Sequence, residues 1–181
     1  MEEDEALARL KQGDITALEE LVRRYSVRAL RTAFLITRDR SSAEDIVQSA
    51  FLRVFERRDQ FQTGRPFEPW LLRIVINDAL KLARPIAPLP LDGMSGGGEQ
   101  LLPSPEPPPD EQLIAKETTE AIWHTLGRLS ATQRAVIVMR YYLGMNEEEM
   151  AEELDCAPGT VKSRLHAARQ RMRQLLPSEI R

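Results

Sequence analysis

The sequence predicts an all-α protein: two helical domains joined by a Pro/Gly-rich linker, the C-terminal one containing a helix-turn-helix. Three observations carry this. Apolar residues recur at helical spacing along most of the chain, and no stretch reads as a strand. Residues 85–110 hold eight of the twelve prolines and four of the nine glycines, with no Lys or Arg, which marks an extended or disordered linker. Residues 146–176 contain two short helical patterns meeting at a tight break, the first acidic and the second basic. The resulting divisions are an N-terminal domain, 1–84, the acidic linker, 85–110, and a C-terminal domain, 111–181.

Glu2 to Leu10 reads as a helix that Gly13-Asp14 breaks. Asp14 can cap a second helix, with Leu18, Leu21, Val22 and Tyr25 inside. Val27 to Thr37 continues the pattern through Leu30, Ala33, Phe34 and Leu35. After a turn at Asp39–Ser42, Ser41 or Ser42 is expected to cap a helix over Ala43–Arg57. Ile46, Val47, Ala50, Phe51, Val54 and Phe55 supply its apolar positions. Asp59–Pro69 reads as a loop, and Trp70 as the start of a helix to about Arg84, with Leu71, Ile74, Val75, Ala79 and Leu82 inward. Phe61, Phe67 and Trp70 interleave with basic residues here. That pattern suits single-stranded nucleic acid, whose bases stack on rings; the same rings could simply close a core.

Beyond the linker, helical periodicity resumes at Glu111 through Leu113, Ile114, Ile122 and Leu126. Gly127 and Ser130 mark a break. Ser130–Tyr142 reads as a strongly apolar helix with Val136, Ile137, Met139 and Tyr142 inward, ended by Gly144. Asn146 with Glu149 makes a capping-box start for a helix whose apolar face is Met150, Ala151 and Leu154. Pro158 suits the first turn of the next helix, expected to run to Leu176. Val161, Leu165, Ala168 and Met172 line one side of it. Lys162, Arg164, Arg169, Arg171 and Arg173 line the other, with no carboxylate before Glu179. Such a helix can enter the major groove and meet phosphates and base edges. The plainer alternative is an amphipathic hairpin with a solvated basic face.

Composition bounds the function. With 181 residues and 42% hydrophobic content, a core is within reach. The net charge of −3 excludes DNA binding by bulk charge, so contact must come from local basic faces and be weak for the chain alone. The single cysteine, Cys156, excludes an internal disulfide and is expected to be a small buried residue of the turn. His124 and His166 lie far apart, so no metal, cofactor or catalytic residue is expected. No segment has the apolar length of a membrane span and the N-terminus is acidic, so a cytoplasmic protein without membrane insertion is expected.

Three stretches resemble one family in order. AEDIVQSAFLRVFE (Ala43–Glu56) resembles the polymerase-docking helix of sigma factors. FEPWLLRIVIN (Phe67–Asn77) resembles their promoter-melting segment, and GTVKSRLHAARQRMR (Gly159–Arg173) their recognition helix. The short form, covering about residues 10–84 and 111–176, is similar to an extracytoplasmic-function sigma factor of the sigma-70 family of bacterial RNA polymerase. The resemblance implies a non-enzymatic initiation factor that directs RNA polymerase core to promoters and assists melting. It implies that Asp45, Gln48, Phe51 and Leu52 meet the β′ clamp helices. Phe61, Gly64, Arg65, Phe67, Trp70, Asn77 and Lys81 would serve the minus-ten element as opened single strand. Thr160, Lys162, Ser163, Arg164, His166 and Arg169 would serve the minus-thirty-five duplex, and the second domain would also hold the β flap. An anti-sigma protein is a further partner class it admits.

The chain departs from the family at Ala167, where many relatives have arginine, and at Lys81, where a polar amide occurs. The two prolines of RPFEPW would stiffen the loop. The acidic linker could imitate nucleic acid in the polymerase channels or be a plain tether. Two rivals are a dimeric helix-turn-helix regulator binding duplex operators alone, and an interaction module that holds polymerase or an anti-sigma protein without reading promoters.

Overall fold

The computed structural model describes residues 3–62, 64–83 and 109–177, with side chains in the last stretch from 118 onward; among them every regular element is helical. The chain divides into two units, 1–82 and 83–181. No helix among the described residues is long and apolar enough to cross a membrane.

In the first unit α1 spans Glu3–Lys11 and α2 Ile15–Thr37. Asp14 caps α2 by accepting from the Thr16 N–H at 2.9 Å. The two patterns read over 14–37 are one helix, since nothing between Tyr25 and Val27 breaks it. Arg38, left-handed at φ 64°, ends it by donating its N–H to Phe34 O. The next cap differs from expectation. Asp39, not Ser41 or Ser42, is the N-cap of α3 (Arg40–Glu56), its carboxylate accepting from the Ser42 N–H at 2.7 Å. Asp39 has the extended backbone a cap needs, which makes Ser42 the third helical residue and the donor.

A single 3-10 turn, Arg58–Gln60, leads into the loop, and α4 spans Phe67–Leu82. It therefore begins three residues before Trp70. Pro69 falls in its first turn, where a missing N–H breaks no helical bond. Helix α2 packs on α3 and α4, and α1 on α2. Leu21, Ile36, Val54, Phe67, Leu71, Val75 and Ile76 are fully buried between them, each worth about 1.5–3 kcal/mol of transfer energy. Ion pairs tie the same helices: Arg28 to Glu68 at 2.9 Å and Arg53 to Asp78 at 2.6 Å. Leu82, expected inward, is exposed, because the bundle ends one turn before it. Leu18, Val22 and Leu30 are half-buried and line an open apolar groove between α2 and α3.

In the second unit α5 spans Pro109–Gly127, so helix begins inside the expected linker and ahead of Glu111. Proline at a first helical position is compatible with that start. The rest of the expected linker, and Leu113 and Ile114 as side chains, lie outside what is described. Ile122, expected inward, is exposed, whereas Leu126 is buried. Ser130 and Gln133 form a capping box that opens α6 (Ala131–Ile137). The single helix expected over 130–142 is two pieces, because a π-helical turn, Val138–Tyr142, follows α6. There the Leu143 N–H donates to Val138 O at 3.0 Å, one residue wider than an α-helical bond. This extra residue leaves Tyr142 only half-buried and Tyr141 outside. Gly144, at φ 75°, makes the exit.

Helix α7 (Glu147–Glu153) carries the predicted Asn146–Glu149 capping box. Its Met150 and Ala151 are buried, Leu154 is half-buried, and Glu153 turns out to be buried. Asp155, at φ 47°, turns the chain, a conformation that Asp tolerates better than most residues. Cys156 is half-buried rather than buried, with Arg164 Nη1 3.9 Å from its sulfur. Pro158 then opens α8 (Pro158–Leu175). Val161, Leu165 and Ala168 dock α8 on α6 and α7.

Candidate nucleic-acid interface

Helix α8 presents one continuous polar face because its apolar residues recur every three or four positions on the other. Lys162, Ser163, His166 and Arg169 stand exposed along it, and Thr160 and Arg164 are half-buried at its edge. The Ser163 hydroxyl donates to Thr160 O at 2.9 Å, so at this position it is turned back on the helix. Arg164 leans toward Cys156. The four first-named residues thus share one side, and Arg164 stands apart from them. Arg169 is held from outside the helix: its Nε donates to the Tyr141 hydroxyl at 2.9 Å.

In the first unit the rings of the loop meet in one cluster. Tyr25 and Phe67 are 5.3 Å apart between centroids, Phe61 and Phe67 5.9 Å, and Phe61 and Trp70 5.3 Å. Phe61 and Phe67 are buried, so neither has a face open to a base, whereas Trp70 is half-buried at the edge. Gly64 and Arg65 are exposed above them, and Gly64 takes φ 87°, which favours glycine. From Trp70 the spacing of α4 leads along one side through Arg73 and Asn77 to Lys81. Lys81 lies 3.7 Å from Asp78 and is largely exposed, a weak pair that a phosphate can replace.

On α3, Asp45, Gln48 and Leu52 are exposed, and Leu52 keeps 58% of its surface open. Phe51 is separated from them: it is buried, facing α2 at the floor of the groove. Val27, 55% exposed, stands across the groove from Leu52.

The sequence leaves Tyr141 without a role, because the α-helical period extended through 142 points Tyr142 inward and Tyr141 away from the core. An adjacent pair of tyrosines before a glycine was the available signal. Among the described residues no cluster of His, Cys, Asp and Glu has metal-ligand geometry.

The family model described as Sigma-70 region 2 matches residues 21–85, and that described as Sigma-70, region 4 matches residues 119–172. The RNA polymerase sigma factor NccH of Alcaligenes xylosoxydans xylosoxydans is 32% identical over 178 residues, covering 97% of this chain and 95% of that protein. The ECF RNA polymerase sigma factor SigW of Bacillus subtilis is 29% identical over 176 residues, covering 94% of each. The solved structure of CnrH in complex with the cytosolic domain of CnrY has a TM-score of 0.65 at 24% identity over 96% of each chain, a likeness of fold.

Proposed function

The chain belongs to the sigma-70 family of RNA polymerase sigma factors, and on that premise we propose how its surfaces direct polymerase to promoters. The observation that carries the reading is the carboxylate-free exposed face of α8, opposite a face that docks on α6 and α7. With α8 in the major groove of the minus-thirty-five duplex, Lys162, Ser163 and His166 meet base edges and Arg169 meets backbone. Thr160 and Arg164 contribute from the edge of the helix.

In the first unit, Gly64, Arg65, Trp70, Asn77 and Lys81 hold the opened minus-ten strand. Phe61 and Phe67 serve it from beneath, as the rigid packing on which the loop and Trp70 rest. Strand opening is driven by binding of extruded bases, which offsets their lost stacking. Asp45, Gln48 and Leu52 dock on the β′ clamp helices, with Phe51 supporting that helix from inside, and the second unit holds the β flap. The chain acts in the cytoplasm, and catalysis stays with the polymerase. An anti-sigma protein would act by covering the same faces.

The test is transcription by core polymerase plus this chain from promoters varied at the upstream element, at several salt concentrations. Lys162→Ala is expected to cost about 1–3 kcal/mol and relax preference at one base pair. Arg173→Ala, further along α8, is expected to weaken all sites alike and lower the salt slope by about one unit. The reverse pattern would overturn this placement of α8. Tight binding to a palindromic duplex without polymerase would establish the dimeric regulator instead.

A further inference from the structure

Tyr141 keeps 64% of its surface open, more than any other large hydrophobic side chain described, and it is not a loose one. The π turn carries it out of the α-helical period toward α8. The Arg169 guanidinium lies 5.8 Å from its ring centroid, and Arg169 Nε donates to its hydroxyl at 2.9 Å. This geometry spends only the Nε hydrogen. Both terminal nitrogens keep their N–H groups for another acceptor, and a phenol that accepts from Nε keeps its own hydrogen to donate. Among the described residues Arg169 makes no ion pair, and α8 contains no carboxylate to compete for it. A fixed guanidinium fork beside a hydroxyl donor is a site for a tetrahedral oxyanion.

Its position says which one. Arg169 follows Lys162 by two helical turns on nearly the same side, about 10 Å further along the axis. The major groove is about 8.5 Å deep, so with Lys162 at the base edges Arg169 reaches the phosphate rim. We propose that Tyr141 and Arg169 together form one binding site for a backbone phosphate of the upstream duplex, Tyr141 contributing a donor as well as holding the arginine. This rests on the reading that α8 enters the groove.

The experiment measures affinity of holoenzyme, full chain with core polymerase, for fluorescent promoter duplexes varied at the upstream element, across a salt series. The variants are Tyr141→Phe, Arg169→Ala, both together, and Lys162→Ala. Tyr141→Phe should weaken every upstream sequence alike, by roughly three- to tenfold, with the native salt slope. Arg169→Ala should lower that slope by about one unit, and the double variant should lose less affinity than the two single losses added together. Native affinity for Tyr141→Phe, additive effects, or a loss confined to one base pair would each overturn the proposal. If Tyr141→Phe shifts the melting curve, Arg169→Lys decides instead: it keeps the charge but not the fork. It should bind more weakly at the native slope, and native affinity overturns the site. A holoenzyme indifferent to the upstream sequence, with Lys162→Ala silent, would defeat the groove reading itself. A selective loss with Lys162→Ala beside a silent Tyr141→Phe defeats only the phosphate site.

Discussion

Two neighbouring residues of α3 stand in opposite environments. Phe51 is buried and Leu52 is exposed, though both are apolar and one position apart. Truncating Phe51 to Ala removes core packing and is expected to cost about 3–5 kcal/mol. Leu52→Ala and Asp45→Arg should leave the melting temperature near native and weaken binding to core polymerase. Native polymerase affinity in both folded surface variants would remove the docking face from α3. Asp14 has a separable role of its own. Hydrogen bonds from Thr16, then from Arg9, hold its carboxyl at about 2 against an ordinary 3.8. A folded-state value lowered in this way stabilises above the ordinary value and loses that contribution as pH falls toward 2. Asn keeps the cap but not the charge beside Arg9. The melting difference between the native chain and Asp14→Asn should therefore be full above about pH 5 and vanish near pH 2. A difference constant with pH would mean that charge plays no part. At this scale, which apolar residues of a helix face the core was legible only approximately. The period identifies a stripe, but Phe51 and Leu52 both border it, and only the position of α2 decides between them.

At the scale of elements, caps were the most legible feature where the capping side chain and its helix are adjacent. Asp14 and the Asn146–Glu149 box stand where the residues place them. Asp39 was missed because Ser41 and Ser42 offered equally good local chemistry, and the left-handed Arg38 that settles the turn leaves no sign in composition. The π turn was invisible for a similar reason: one extra residue preserves apolar content and only shifts phase. Asn146 carries two N–H groups of α7 on one side-chain oxygen, each at 2.9 Å. A helix of seven residues has little stability of its own, so its cap matters to the whole turn. Asn146→Ala is expected to cost about 1 kcal/mol. Trp70 and Trp123 stand in different units and report on them separately. In a Trp70→Phe background, the Trp123 fluorescence midpoint should fall by roughly 4–8 °C. In a Trp123→Phe background, the Trp70 transition should stay in place. A shift of both would show that the two units melt as one.

At the scale of the whole molecule, charge is segregated rather than balanced. The formal net charge is −3, yet α8 carries only basic charges and the stretch 85–108 only acidic ones, Asp92, Glu99 and Glu106. That distribution gives local attraction to DNA and little net attraction, as suits a subunit that should engage promoters only with polymerase. We expect the acidic stretch to matter after binding, where basic walls that hold nucleic acid would also attract a chain of carboxylates. Asp110 belongs to α5, so it is left out of the test. Replacing Asp92, Glu99 and Glu106 by Asn or Gln should leave both tryptophan transitions unchanged. It should change the ratio of abortive to full-length transcripts, because the neutral chain competes less with template and nascent RNA for the same cationic surface. The change should shrink as salt rises, since it is electrostatic. Transcript profiles identical to native at low salt would reduce this stretch to a tether, whose length matters and whose charge does not.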